Sequence, residues 1–293
     1  LRAEVLSKNG PDATVKMTWG GNTPLGEVLA AFGRVPLPPY IKRAADKKDL
    51  QTYQTAHAAN DGSVAAPTAG LHLSERLMAQ VRAAGTEVLT VTLHVGAGTF
   101  KPMDAAEAKA HSMHAERIGV QAEEIQRLLE GIAADKVLVP VGTTTVRTLE
   151  SLYWWGVKLI AEDVTPDAPE LKVDQWDPYR LRASLGGVAG LPSAKEALEA
   201  VLAWARAREG GGAVGYTSLM IVPGYQFALC DLLFTNTHQP RSTLMMLVSA
   251  LVGGQERLMQ VYGYALQNGY RFLSYGDGNL LQCHPASSFP KRR

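Results

Sequence analysis

The alternation of apolar and polar residues changes character along the chain. Short alternating runs at 3–6 and 14–19 flank Asn9-Gly10-Pro11, and turn residues between two such runs predict a β-hairpin. The segment Val35-Pro36-Leu37-Pro38-Pro39-Tyr40 predicts a stiff extended connector, because proline fixes its own φ and restricts the residue before it. A domain boundary is placed there, separating 1–35 from 36–293. From Val64 onward, strand, loop and helix follow one another. Ser74 is positioned to cap a helix through Leu77, Met78 and Val81 that Gly85 ends. A strand is expected at 87–95, with Leu89, Val91, Leu93 and Val95 on one face and Thr90, Thr92 and His94 on the other. Ile125, Leu128, Leu129 and Ile132 form one helical stripe over 122–132. Strands at 136–141 and 231–234 each lead through a polar loop into a helix, the second being the nearly all-apolar stretch 243–252. This alternation predicts an α/β domain with a largely parallel sheet or barrel. Residues 156–215, rich in Pro, Asp, Gly and Ala, break the rhythm and contain one clear helix near 194–208. They are expected to form an insertion or lobe.

Composition narrows the class. A chain of 293 residues, 46% hydrophobic and 19% charged, can bury a sizeable globular core. Cys230 and Cys283 have no metal-ligand spacing around them and suit a reducing compartment. The longest apolar run, 244–252, is too short to span a membrane, and no secretory signal pattern opens the chain, so a cytoplasmic protein is expected. The opening LRAEVLS reads as the middle of a strand, and a native start is expected to be missing. With a net charge of +1, any contact with RNA has to come from local basic clusters. These are Lys42, Arg43, Lys47 and Lys48, with a second cluster at Lys291, Arg292 and Arg293. Taken alone, each reads more readily as a solvated face or a ragged tail than as an RNA contact.

Candidate chemistry gathers in loops after predicted strands, where α/β folds bind ligands. In AAPTAGLH at 65–72, Gly70 is read as permitting an unusual turn beside Thr68 and His72. In TLHVGAGTF at 92–100, the polar strand face ends at His94, and Gly96 and Gly98 allow close approach to backbone amides beside Thr99 and Phe100. A lone GxG is no dinucleotide fingerprint. His111 and His114 with Glu116 fit acid–base work or substrate contact, or a surface polar turn before the next strand, better than metal binding, since neither HExxH nor a cysteine accompanies them. VGTTTVRTLES at 141–151 opens a helix whose first amides favour an anion, with Arg147 able to grip a carboxylate in bidentate fashion. The plainer alternative is an Arg147–Glu150 pair on the helix surface. Finally, TNTHQPRS at 235–242 sets hydroxyls, an amide, an imidazole and a guanidinium before an apolar helix that Ser242 or Thr243 caps.

Taken in order with PLPPYI (36–41), Tyr53-Gln54-Thr55, PGYQF (223–227) and FLSYGD (272–277), these strings resemble the S-adenosylmethionine:tRNA ribosyltransferase-isomerase family over nearly all of 36–277. The resemblance implies a barrel-like mixed or parallel α/β domain with a small inserted β-barrel, of which residues 1–35 look like the end. It implies transfer and isomerisation of the ribosyl part of S-adenosylmethionine onto 7-aminomethyl-7-deazaguanine in tRNA, during queuosine synthesis, giving epoxyqueuosine, adenine and methionine. The partners implied are tRNA and S-adenosylmethionine, the latter as co-substrate with no further cofactor and no metal; a monomer is favoured. On that basis His94, His114, His238 and Glu116 are the expected acid–base residues. Thr68, His72, Gly96, Gly98, Thr99, Phe100, Thr143, Thr144, Arg147, Tyr225, Asn236, Arg241 and Ser242 are expected to bind substrate. Lys42, Arg43, Lys47 and Lys48 are expected to meet RNA. Thr237 and Gln239 stand where many members carry apolar residues, and 156–215 is longer than usual, which leaves room for altered substrate contacts. Two other readings are a metal-dependent hydrolase using His72, His94, His111 and His114, and a noncatalytic RNA-binding protein.

Overall fold

Antiparallel strands β1 (Arg2–Asn9) and β2 (Asp12–Thr18) form the expected hairpin, with Arg2 opposite Thr18 and an irregularity between Val5 and Ser7. The computed structural model describes residues 1–9, 12–59, 63, 65–96 and 111–290. Its chain divides into two units, Leu1–Gln51 and Thr52–Arg293. The first holds the hairpin, helix α1 (Leu25–Phe32) and the connector 35–40, and the one-turn helix α2 (Asp49–Thr52) lies where the chain passes from the first unit to the second. All of β1 is exposed, and Val5, Leu6 and Val15 lie open.

In the second unit, Ser74 Oγ accepts from Leu77 N at 3.3 Å and starts α3 (Glu75–Ala83), and Gly85, at φ 81°, follows its end. A four-stranded sheet runs β3 (Thr92–His94), β4 (Glu116–Gln121), β6 (Gly212–Thr217) and β5 (Leu171–Val173) in spatial order. The β3–β4 and β4–β6 pairings are antiparallel, and only β5–β6 is parallel. A second, antiparallel pair joins β7 (Leu232–Asn236) to β8 (Gly278–Gln282). The domain is therefore mixed α/β, and the expectation of a largely parallel sheet is corrected.

Two strands are shorter than the pattern predicts. Leu89, Val91, Leu93 and Val95 do face the core, yet only 92–94 join the ladder. Before them, Arg127 and Lys136 side chains hold the Glu87 carboxylate, and Arg127 Nη2 donates to Val88 O. Arg127 thereby occupies the Val88 carbonyl that a neighbouring strand would use. Residues 136–141 run extended beside β7 without becoming a strand. Pro140 has no N–H to give, and Leu138 N donates to the Asp231 carboxylate at 2.6 Å.

The core forms where α4 (Ala122–Ala133), α5 (Thr143–Ile160) and α7 (Ala194–Arg206) pack on the sheet. In α4 the predicted stripe Ile125, Leu128, Leu129 and Ile132 is buried. Ser193 and Glu196 make a reciprocal capping box that starts α7. A Cβ at Gly156 would strike the Ala197 backbone, so glycine lets α5 and α7 approach closely. Residues 156–215, expected as a lobe, contribute β5, α6 (Asp177–Ser184), α7 and β6 to this core. Helices α8 (Thr243–Leu251) and α9 (Gln255–Gln267) complete the unit. Among the described residues, no helix is long and apolar enough to cross a membrane.

Candidate functional site

Helix α5 organises the polar chemistry. The extended segment before it bridges to Phe234 of β7, and Gly142 then turns the chain at φ 91°, a conformation glycine adopts without a steric penalty. Gly142 N donates to Phe234 O at 2.8 Å, which docks the start of α5 beside the end of β7. A Cβ on Gly142 would lie 3.5 Å from that of Ala69, so the 3₁₀ turn Thr68–His72 packs on the same spot. Thr143 and Thr144 are buried, and among the described residues no side chain caps the helix. The first-turn amides of α5 thus carry the partial positive charge of a helix start.

Around this start stands a first polar cluster. Asn236, at the end of β7, donates from Nδ2 to His72 Nε2 and to Leu273 O, both at 3.0 Å. His72 meets Phe234 edge-on, with centroids 5.5 Å apart. Leu273 is held at φ 71°, rare for a residue with a side chain, and its N–H donates to Thr237 Oγ1. Neighbouring Ser274 is buried and shares a hydrogen bond with the Tyr53 hydroxyl. His238 Nε2 lies 3.1 Å from Thr235 Oγ1, and its backbone N–H donates to the Tyr262 hydroxyl. Burial pushes the His238 pKa down to about 4. The ring is therefore unprotonated near neutral pH, the form a general base requires, although the same burial weakens it as a base.

A second cluster lies one turn along α5, at the edge where β3, β5 and β6 end and β4 begins. Arg147 Nη1 donates to Glu116 Oε2 at 2.8 Å, and both residues are buried. The Nε and Nη2 hydrogens of Arg147, its side-on edge, have no partner among the described residues. Ser151 donates to Arg147 O and shares a 2.6 Å hydrogen bond with Thr217, which ties this turn to the end of β6. His94 pairs with Arg117 across β3 and β4. His114 is exposed two residues before Glu116, and Gln175 holds the backbone of His111 and Met113 next to it. An open cleft of about 370 Å³ at the same edge is lined by Met113, Gln175, Trp176 and Ser218 among others.

Other sequence-selected residues sit elsewhere or serve differently. The Arg147–Glu150 surface pair does not form, because Glu150 is fully buried and accepts from the Tyr225 hydroxyl and from Ala228 N and Leu229 N. Tyr225 also accepts from Trp154 Nε1, and burial holds its hydroxyl well above the usual phenol range, so it acts as a core donor. Gly70 keeps an ordinary backbone, contrary to expectation. Its lack of a side chain matters because a Cβ would come 2.8 Å from Thr55 Cγ2. Thr68 is partly buried in the 3₁₀ turn, and Gly96 is exposed. Ser242 caps α8, its Oγ accepting from Met245 N, after exposed Arg241 at φ 54°. Lys42, Arg43, Lys47 and Lys48 are exposed in the first unit, where the Arg43 guanidinium makes a bidentate pair with the buried Asp49 carboxylate. Gly98, Thr99, Phe100, Lys291, Arg292 and Arg293 lie outside the described residues. Sequence reasoning missed the Glu116–Arg147 and His72–Asn236 pairings. Partners 31 and 164 residues apart leave no periodic signal.

The arrangement defines a mixed α/β chain with a buried guanidinium one turn into α5 and, beside the start of that helix, an amide–imidazole cluster supplied by β7 and the 3₁₀ turn. It belongs to the queuosine biosynthesis protein family, whose pattern matches residues 1–173 and 188–281. Among similar curated proteins, the S-adenosylmethionine:tRNA ribosyltransferase-isomerase of Novosphingobium aromaticivorans is 40% identical over 273 residues, 92% of this chain and 65% of its own. The protein of the same name from Francisella philomiragia is 34% identical over 279 residues, 95% of this chain and 66% of its own. The chain thus spans slightly under two thirds of the length of these relatives. A crystal structure of S-adenosylmethionine tRNA ribosyltransferase from Thermotoga maritima is 30% identical, covering 73% of this chain and 51% of that one, with a TM-score of 0.44.

Proposed function

We propose that the chain transfers and isomerises the ribosyl part of S-adenosylmethionine onto 7-aminomethyl-7-deazaguanine in tRNA, releasing adenine and methionine. The observation that carries this reading is the buried Arg147 guanidinium, with one nitrogen on Glu116 and its side-on edge without a partner among the described residues. That edge matches the two oxygens of a carboxylate, and methionine supplies one. From Gly142 to Arg147 the helix rises about 7–8 Å, a span suited to an amino-acid head at one cluster and a nucleoside at the other. The names of the relatives support the same chemistry.

In this reading the sulfonium acidifies the ribose 5′ carbon, and an unprotonated histidine takes its proton. His238 suits that role because it is uncharged near neutral pH. A second group, His94 or His114, protonates departing adenine. Glu116 keeps Arg147 oriented, while Thr143 and Thr144 present the amides of the helix start. Thr68, Gly96, Gly98, Thr99, Phe100, Arg241 and Ser242 remain assigned to substrate binding, and Lys42, Lys47 and Lys48 to tRNA. The exposed hairpin is read as part of a small β-barrel inserted into a barrel-like α/β domain, an assignment its uncovered Val5, Leu6 and Val15 support. A tRNA substrate places the reaction in the cytoplasm. The monomer remains the favoured assembly.

The test is incubation with S-adenosylmethionine and tRNA bearing the aminomethyl base. Adenine and methionine should appear in equal amounts as the base gains mass. A folded chain that binds both substrates and releases neither product would overturn the proposal.

A further inference from the structure

We propose that Asn236 and His72 form a subsite that reads an exocyclic amino group on a heterocyclic base, an assignment that rests on the function proposed above. Asn236 is 2% exposed. One of its Nδ2 hydrogens goes to Leu273 O, which can only accept, so the amide cannot be turned the other way without setting two oxygens against each other. The second goes to His72 Nε2, which must therefore accept, placing the ring hydrogen on Nδ1. Both donors are spent inside the protein. The remaining polar atom, Oδ1, is buried and has no partner among the described residues.

A buried amide oxygen without a donor costs about 1–3 kcal/mol, and the surroundings prevent the amide from relieving that cost by rotation. Phe234 fixes the His72 ring. Leu273 is kept in a left-handed conformation by its bond to Thr237, and Ser274 is fixed by Tyr53. Strain and an unpaired acceptor in one place mark a group held ready for a ligand donor. Since Oδ1 can only accept, the ligand must bring the hydrogen. With the carboxylate assigned to Arg147, the part left for this end of α5 is the base. The 6-amino group of adenine and the 2-amino group of the deazaguanine share the required chemistry.

Calorimetric binding to the unmodified chain distinguishes the two sources. One arm compares S-adenosylmethionine with its counterpart carrying hydrogen in place of the 6-amino group. The other compares the nucleoside of 7-aminomethyl-7-deazaguanine with its 2-desamino counterpart. Loss of the amine in one arm should weaken binding about 30–100-fold, and Asn236→Leu should reduce that penalty to under about 3-fold. Asn236→Ser replaces the leucine variant should the latter not fold. Indifference to both amines, with S-adenosylmethionine still bound and turned over, overturns the subsite and leaves the function standing. A penalty that persists undiminished in the variant also overturns it, since the amine is then read elsewhere. If S-adenosylmethionine does not bind at all and the base arm shows no preference, both readings fall.

Discussion

Replacing Arg147 by lysine separates its two tasks. The guanidinium makes one 2.8 Å ion pair with Glu116 inside the protein, and its side-on edge remains for a ligand. Removing one partner of a buried pair outright strands the other charge, at a cost of roughly 3–5 kcal/mol. Lysine keeps the charge and can reach Glu116 as a point contact, so Arg147→Lys should lower stability by only about 1–2 kcal/mol. The side-on edge has no counterpart on an ammonium. Losing a bidentate, charge-assisted contact should weaken S-adenosylmethionine binding by about 2–3 kcal/mol, or roughly 30–150-fold. 5′-Methylthioadenosine lacks the carboxylate and should bind the variant and the parent alike. Urea unfolding midpoints measure the first quantity, and calorimetric titration with both ligands measures the second. Equal losses for the two ligands, or none for S-adenosylmethionine, would refute the carboxylate clamp and leave Arg147 as a structural partner of Glu116.

His238 should make stability depend on pH. Its folded pKa is lowered to about 4 by burial, so between pH 6.5 and 4 the unfolded chain binds a proton that the folded one resists. This contribution is complete above pH 6.5 and lost as the pH falls toward 4. Because the residue as a whole is only half-buried, the contribution is limited to about 1–2 kcal/mol, and His238→Gln should flatten that part of a pH series of unfolding midpoints. Parallel profiles for parent and variant would contradict the assignment. For RNA, Lys42, Lys47 and Lys48 changed together to alanine should weaken tRNA binding about 10-fold and lower its salt dependence, with S-adenosylmethionine binding unchanged. Arg43 is left intact because it holds buried Asp49. Unchanged tRNA affinity in a filter-binding assay would make these lysines a solvated face.

The local signals read well where they were strong and short in range. Ser74 and Ser242 cap the helices they precede, the α4 stripe faces inward, and the two strands on either side of the turn residues pair antiparallel. Side chains from elsewhere in the chain changed other readings. Arg127 took the Val88 carbonyl that would otherwise serve a strand, Asp231 took the Leu138 N–H, and Pro140 had none to offer. Gly70 was legible as important, but the reason was a close approach to Thr55 rather than a special φ.

The motifs, their order and the family they point to were determined by the sequence alone, because caps, turns and amphipathic periods act over a few residues. The partner of each motif was decided by the tertiary structure. Arg147 stands three residues from Glu150, yet it pairs with Glu116, 31 residues away, while Glu150 turns to Tyr225 in the core. His72 meets Asn236 across 164 residues. The reason is physical: a charge or amide carried into the interior must find a partner there, and packing of α5 against the sheet and β7, rather than spacing along the chain, sets which one is within reach.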